Sequence, residues 1–462
     1  MEPVFTNDAI VFGLLMIVLA GIFYTSGLDN RSWKKFYTYV PALLLCYFVP
    51  ALLHWPADLI AAHWYSNDLL DHLNDLGQAL PESGMSFSEI QQWIKDNNIP
   101  DTKQFEGHSQ LYFVASRYLL PASLILLCLS IDLEGIRNLG PKALIMFFAA
   151  TFGIIIGGPI ALLIISNVAP DLISASTDEI WRGLSTVAGS WIGGGANQTA
   201  MKEIFEVGDN IFATMIIVDV IVANIWMGFL LYGANISKQV DRWLNADASA
   251  IEDLKHRVAD YRASIAKIPT TTGLFVMMGL AFAGVGLSHW GADVMVPFMK
   301  NFKETLTSLR LNSLMSGFFW LIVISTTIGL GLSFSKARRM EGIGASRWGS
   351  IFIYILVATI GMKMNISEIF QNLGLFAIGI IWMLVHVAIL LIVAKLINAP
   401  FFFVAVGSQA NVGGAASAPI VASAFSPSLA PVGVLMAVLG YALGTYGAII
   451  CAYLMQGVAA AG

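Results

Sequence analysis

The chain has 462 residues, 57% of them hydrophobic and only 12% charged, with a net charge of -5 and a mean hydropathy of +0.72. A soluble domain carries about a quarter charged residues, so this composition excludes one and points to a polytopic helical membrane protein. Cys46, Cys128 and Cys451 lie far apart in apolar segments, which excludes a disulfide framework and a cysteine metal site.

In chain order the apolar segments are 9–27, 38–56, 111–131, 141–168, 182–205, 211–234, 270–287, 312–334, 350–364, 372–397, 400–425 and 429–456. The residues before the first lack the basic start of a secretory signal, so 9–27 reads as a span. Lys and Arg favour the cytoplasmic side. Residues 28–37 hold Arg31, Lys34 and Lys35 against one acid, and 335–349 hold Lys336, Arg338, Arg339 and Arg347 against Glu341. Both loops are expected inside, as is the linker 235–268 with six basic residues. The insertion 57–110, with nine acids and two lysines, is expected outside as short amphipathic helices, one of them capped by Ser86 or Ser88. The stretch 245–267 reads as a charged amphipathic helix joining the two halves.

Two glycine-rich stretches interrupt this pattern. One reads Gly189-Ser190-Trp191-Ile192-Gly193-Gly194-Gly195-Ala196-Asn197-Gln198. The other reads Gly407-Ser408-Gln409-Ala410-Asn411-Val412-Gly413-Gly414-Ala415-Ala416. Each glycine weakens a helix by roughly 1 kcal/mol, and non-helical backbone at membrane depth survives only where protein or a cavity surrounds it. Charge parity adds a constraint. Twelve full spans would put the linker and the Lys336–Arg347 loop on the wrong side, whereas re-entrant hairpins at 182–205 and 400–425 restore both. Arms of about eleven residues rise roughly 16 Å, half a bilayer.

The expected fold is therefore an all-α membrane protein with two inverted repeats, each five transmembrane helices plus one glycine-rich re-entrant hairpin. The repeats are 1–234 and 269–462, with 235–268 between them and both termini outside. Two short links support the pairing: Ile131–Gly140 and Met364–Gly374 both end in Asn-Leu-Gly before a long apolar helix.

The Gly-Ser-Trp-Ile-Gly-Gly-Gly-Ala-Asn segment, its second copy and the pattern between them resemble the membrane family catalogued as domain of unknown function 819. The resemblance covers nearly the whole chain, with 57–110 as a longer insertion. That family is grouped with bile acid, glutamate and citrate sodium symporters and with cation/proton antiporters. The resemblance implies a secondary transporter of two inverted repeats, a homodimer built on a scaffold, and hairpin tips that meet substrate. Neither tip reproduces the Gly-Gly-Asn-Gly sequence of citrate carriers.

Helix ends at a broken tip suit a carboxylate at the N–H side and Na+ at the carbonyl side. The substrate-binding candidates are Ser190, Gly194, Gly195, Asn197, Gln198, Ser408, Gln409, Asn411, Gly413 and Gly414. The ion-binding candidates are Asp219, Asn224, Thr199 and Ser417. Asp219 lies in the middle of an apolar segment, where a carboxylate faces protein or water. It reads as a Na+ ligand, a proton carrier or a structural acid bonded to neighbouring polar groups. His386 reads as a packed core histidine, Lys395 as a snorkelling end residue, and Arg117 and Arg182 as interfacial anchors.

The expected function is ion-coupled transport of a small polar organic solute, a carboxylate or amino-acid-like molecule, by alternating access with elevator-like motion. Na+ is favoured over H+ as the coupling ion. The alternative is a cation/proton antiporter with broken crossing helices. No enzyme motif is present in the sequence. No cofactor other than a coupling Na+ and no nucleic-acid partner are expected. The expected location is the cytoplasmic (inner) membrane of a prokaryote, in contact with the lipid bilayer.

Overall fold

The computed structural model describes residues 2–40, 42–81, 85, 87–131, 136–137, 139–170, 176–246, 269–309, 311–363, 374–426 and 429–460. The N-cap expected at Ser86 or Ser88, half of the first Asn-Leu-Gly link, nearly all of the second and nearly all of the linker helix 245–267 fall on residues or side chains outside that description. By contacts the chain divides into two compact units, residues 1–117 with 354–367 and residues 118–353 with 368–462.

In the first unit α1 (Asp8–Ser26) begins at Asn7, whose Oδ1 accepts the Ala9 N–H at 2.9 Å. Within the span expected over 38–56 lies α3 (Ala42–His54), and the basic loop expected at 28–37 is itself mostly helical, α2 (Arg31–Tyr39). Val40 precedes Pro41, and the proline ring disfavours helical backbone at the residue before it; Val40 is extended.

The insertion holds β1 (His63–Tyr65), α4 (Asp68–Asp75), α5 (Phe87–Asp96) and β2 (Glu106–His108). The two helices match their amphipathic spacing. The antiparallel strand pair, His63 opposite His108, departs from the all-α expectation, because three-residue strands are too short to show alternation. Tyr65, Leu69, Leu73, Ile90 and Ile94 form a separate apolar core. Asp8 of α1 ties down the exit from β2, accepting from Ser109 Oγ at 2.6 Å and Gln110 N at 3.0 Å.

Next in the chain come α6 (Leu111–Leu129), which carries a π-helical turn, α7 (Pro141–Val168), α8 (Thr177–Gly193), α9 (Gly195–Ile204), α10 (Asp209–Asn235) and α11 (Ser237–Leu244). Then follow α12 (Thr271–Lys300), α13 (Lys303–Ser308), α14 (Gly317–Ser333), α15 (Ala345–Gly361), α16 (Gly374–Leu396), α17 (Phe401–Val412), α18 (Gly414–Phe425) and α19 (Ala430–Ala459). Helix α12 runs on through the loop expected after residue 287, because no proline interrupts it before Pro297 in its last turn.

Among the described residues seven helices are long and apolar enough to cross a membrane, or nine if each of two bent pairs is one span; α15 is a shorter apolar helix. In the second unit α7 packs along α16, and α8 along α19. Buried Phe147, Leu390, Phe402, Val421 and Met436 join α7, α16, α17, α18 and α19 into one apolar cluster. Ile125, Ala281 and Phe352 join α6, α12 and α15 into another.

Candidate functional site

The chain breaks where both glycine stretches were expected to break it. Helix α8 starts earlier than residue 182 because Ser176 and Glu179 form a reciprocal capping box. Its arm is 17 residues and that of α9 is 10, so the arms are unequal. Gly194 joins them at φ +75°, and Gly414 follows the second break at φ +58°; both lie in the left-handed region that side chains other than glycine resist. Space is open around the Cβ position of each, so backbone conformation alone demands glycine there. Helices α17 and α18 have 12 residues each.

Asp219 on α10 holds the first pair together. Its Oδ2 accepts from Ser190 Oγ at 2.6 Å and from Gln198 Nε2 at 3.0 Å, and its Oδ1 accepts from Trp191 Nε1 at 2.7 Å. Ser190 and Trp191 belong to α8 and Gln198 to α9, so one carboxylate binds both sides of the break. The residue is 6% exposed. Burying a carboxylate is costly, and three hydrogen bonds to the charged form offset that cost. Trp191 was missing from the sequence candidates; the signal was available, since a buried indole N–H requires an acceptor.

Asn197 fixes α9 to α19. Its Nδ2 donates to Gly193 O and Tyr441 O, both at 3.1 Å, and its Oδ1 accepts from Thr445 Oγ1 at 2.6 Å. The contact is close because Gly193 has no side chain; a Cβ there would lie 2.6 Å from Gly440 O. Asn411 fixes α17 to α7 in the same manner. Its Nδ2 donates to Gly407 O at 3.0 Å and Phe147 O at 3.3 Å, and its Oδ1 accepts from Thr151 Oγ1 at 2.8 Å. Both asparagines are fully buried, and the amide hydrogens and oxygen of each already have protein partners.

Ser408 is the meeting point of the second pair. Its Oγ accepts from Trp226 Nε1 of α10 at 2.8 Å and lies 2.8 Å from His386 Nε2. His386 Nδ1 lies 3.1 Å from Ala150 O. A carbonyl can only accept, so Nδ1 carries the proton and Nε2 accepts from the serine hydroxyl. His386 is buried as expected and in addition links α16, α7 and α17. One turn away on α16, Trp382 packs on Trp191 with centroids 5.1 Å apart and donates to Ile154 O at 2.8 Å.

The other candidates are placed less centrally. Thr199 Oγ1 donates back to Gly195 O and Ala196 O. Asn224 donates to Val220 O at 2.8 Å and is not brought to Asp219, since five residues of helix turn it to another face. Gln409 Nε2 donates to Ser417 Oγ at 2.7 Å across the second break. Among the described residues no group of three His, Cys, Asp or Glu could hold a metal ion.

At the far end of the first pair Lys202, 5% exposed, lies 2.9 Å from Asp209 Oδ1 and over the Phe212 ring. Sequence reasoning missed it, because a lysine near the end of an apolar segment usually reaches water. Arg182 donates to Asp178 Oδ2 at 2.8 Å and Phe205 O at 2.7 Å, tying the start of α8 to the end of α9. At the second pair Asp241 of α11 accepts the Phe401 N–H at 2.7 Å, capping α17. Burial holds the Asp241 carboxyl above its ordinary range, and the capping N–H only partly counters this.

Residues 102–458 match the family described as Protein of unknown function (DUF819). Among curated proteins the chain is similar to the Uncharacterized membrane protein YjcL of Bacillus subtilis (strain 168). The two are 22% identical over 346 residues, which is 73% of this chain and 82% of that one. The apolar helices and this relative identify an integral, polytopic and mostly helical membrane protein.

Proposed function

The chain belongs to the DUF819 family, and on that premise we propose that it is a secondary active transporter rather than an enzyme. The observation that carries the reading is the pair of glycine-broken helix pairs, each held by buried polar side chains to the helices around it. Paired broken helices supply opposed helix ends at membrane depth, and such ends bind ions and charged solute groups without full charges on the protein.

In this reading α8–α9 and α17–α18 are re-entrant hairpins of two inverted repeats, entering from opposite sides. In α9 the Gly195 and Ala196 N–H groups precede the first acceptor, since Gly194 O takes Asn197 N and Gln198 N; these and the leading N–H groups of α18 suit a carboxylate. The solute is a small carboxylate or amino-acid-like molecule, coupled to Na+ in preference to H+. Access alternates by movement of the bundle containing both hairpins against a scaffold that dimerises.

Reconstituted protein tests this. Radiolabelled amino acids and dicarboxylates are offered to vesicles carrying a Na+ gradient, a proton gradient or neither. Gradient-driven accumulation of one solute class is the expected result. If none of them accumulates under either gradient, the transport reading fails; proton-for-cation exchange without any organic solute would favour an antiporter.

A further inference from the structure

We propose that the second break contains a Na+ site built around the amide oxygen of Gln409. This rests on the transport reading for its role in coupling, but not for its chemistry. Gln409 is 2% exposed, and its Oε1 is buried without a hydrogen-bond partner. A buried acceptor left unpaired is costly, and in native proteins it calls for an explanation. Turning the amide over would give the oxygen to Ser417 and strand an NH2 group with two hydrogens, a worse outcome.

The end of the helix that carries Gln409 offers further oxygens. Helix α17 ends at Val412, and Gly413 N takes the carbonyl of Gln409 itself at 3.0 Å. The carbonyls of Ala410, Asn411 and Val412 follow at the end of the helix, where intrahelical donors run out and the helix carries partial negative charge. Ser417 Oγ stands beyond the amide, 2.7 Å from Nε2. Oxygen ligands of this kind are those that hard cations take. Gly413 makes the approach feasible: a Cβ there would collide with Ser417 Oγ and with the Gln409 amide.

The same reasoning moves the ion away from Asp219. Three hydrogen-bond donors converge on that carboxylate and take three of its roughly four lone-pair directions. No donor points at Gln409 Oε1. The oxygen is also closed to solvent, so a bulky solute cannot touch it without opening the break.

The test uses purified full-length protein and Na+ alone, with K+ and choline at the same ionic strength as controls. Wild type is expected to gain thermal stability with Na+ selectively and saturably. Gln409→Met keeps the length of the side chain and removes the oxygen; half-saturation by Na+ should weaken at least tenfold. Gln409→Glu places a carboxylate there and should strengthen Na+ binding severalfold at pH 8. An equal Na+ response in wild type and Gln409→Met overturns the site, as does wild type that responds alike to all three cations. Should Gln409→Met fail to fold, Gln409→Glu decides, and an unchanged half-saturation overturns the site. The two proposals fail separately. Na+ stabilisation without uptake of any solute removes the transport role and leaves the site, whereas solute uptake driven by protons alone, with no Na+ effect, removes the site and leaves transport.

Discussion

Asp219 and Trp226 lie about two turns apart on one face of α10, and each is bonded to a different broken helix pair. The carboxylate gathers Ser190, Trp191 and Gln198 of the first pair; the indole donates to Ser408 of the second. One helix thereby ties both breaks to a common support. Rotating or sliding α10 would disturb both at once.

Asp219→Asn should lower stability by about 1–3 kcal/mol, the cost of leaving a buried donor unpaired. The amide offers one oxygen where three donors need acceptors, and its NH2 group faces another donor. Asp219→Ala should cost more, since all three donors lose their partner. Thermal unfolding in detergent measures both. An asparagine variant as stable as wild type would mean that relief from burying the charge outweighs the lost bonds.

The Trp226–Ser408–His386 chain predicts coupling. Trp226→Phe and Ser408→Ala each remove one end of the same hydrogen bond, at about 1 kcal/mol apiece. Groups in one network are not additive, so the double variant should differ from the sum by about 0.5–3 kcal/mol. Strict additivity in a double-mutant cycle would mean that the 2.8 Å contact contributes nothing.

Gly194→Ala and Gly414→Ala isolate backbone conformation, because neither new methyl meets an atom within 4 Å. Each should cost roughly 1–2 kcal/mol from left-handed strain. Gly279→Ala, also in open space but inside helix α12, should be neutral or stabilising by up to ~1 kcal/mol. Equal effects at all three positions would refute the conformational requirement at the breaks.

Asp241 predicts a pH dependence. Its folded-state pKa lies above the ordinary value of 3.8, so the folded form holds the proton more tightly than the unfolded form. Its ionisation therefore works against folding, and that penalty sets in as pH rises from about 4 through the folded pKa. Asp241→Asn should remove this increment while an amide oxygen still caps Phe401 N. Asp241→Ala loses the cap, at about 1 kcal/mol. Comparing unfolding of the three proteins between pH 4 and 8 checks the sign: wild type should weaken with rising pH relative to Asp241→Asn.

The two breaks were legible because glycine acts locally. Gly194 and Gly414 permit the positive φ of the breaks at little steric cost, and the glycine-rich stretches that hold them are visible in the sequence. Ser190, Gln198, Ser408 and Gln409 were legible for the same reason, as neighbours of the breaks. Trp191, Trp226, Thr151 and Thr445 were not, since nothing near them in sequence names their partners. The unequal arms of α8 and α9 trace to a capping box that begins outside the apolar segment. Asn224 was paired with Asp219 by proximity in sequence, and helix rotation separates them.

The sequence by itself determined the apolar helical character and the two places where helices break, because these depend on composition and on the backbone preferences of single residues. Tertiary structure alone decided which polar groups meet. Helices that are apolar on all sides carry no stripe to mark the inward face, so rotation and register are left to packing. Packing then spent Asn197 and Asn411 on neighbouring helices, surrounded Asp219 with donors, and left Gln409 Oε1 as an acceptor without a partner.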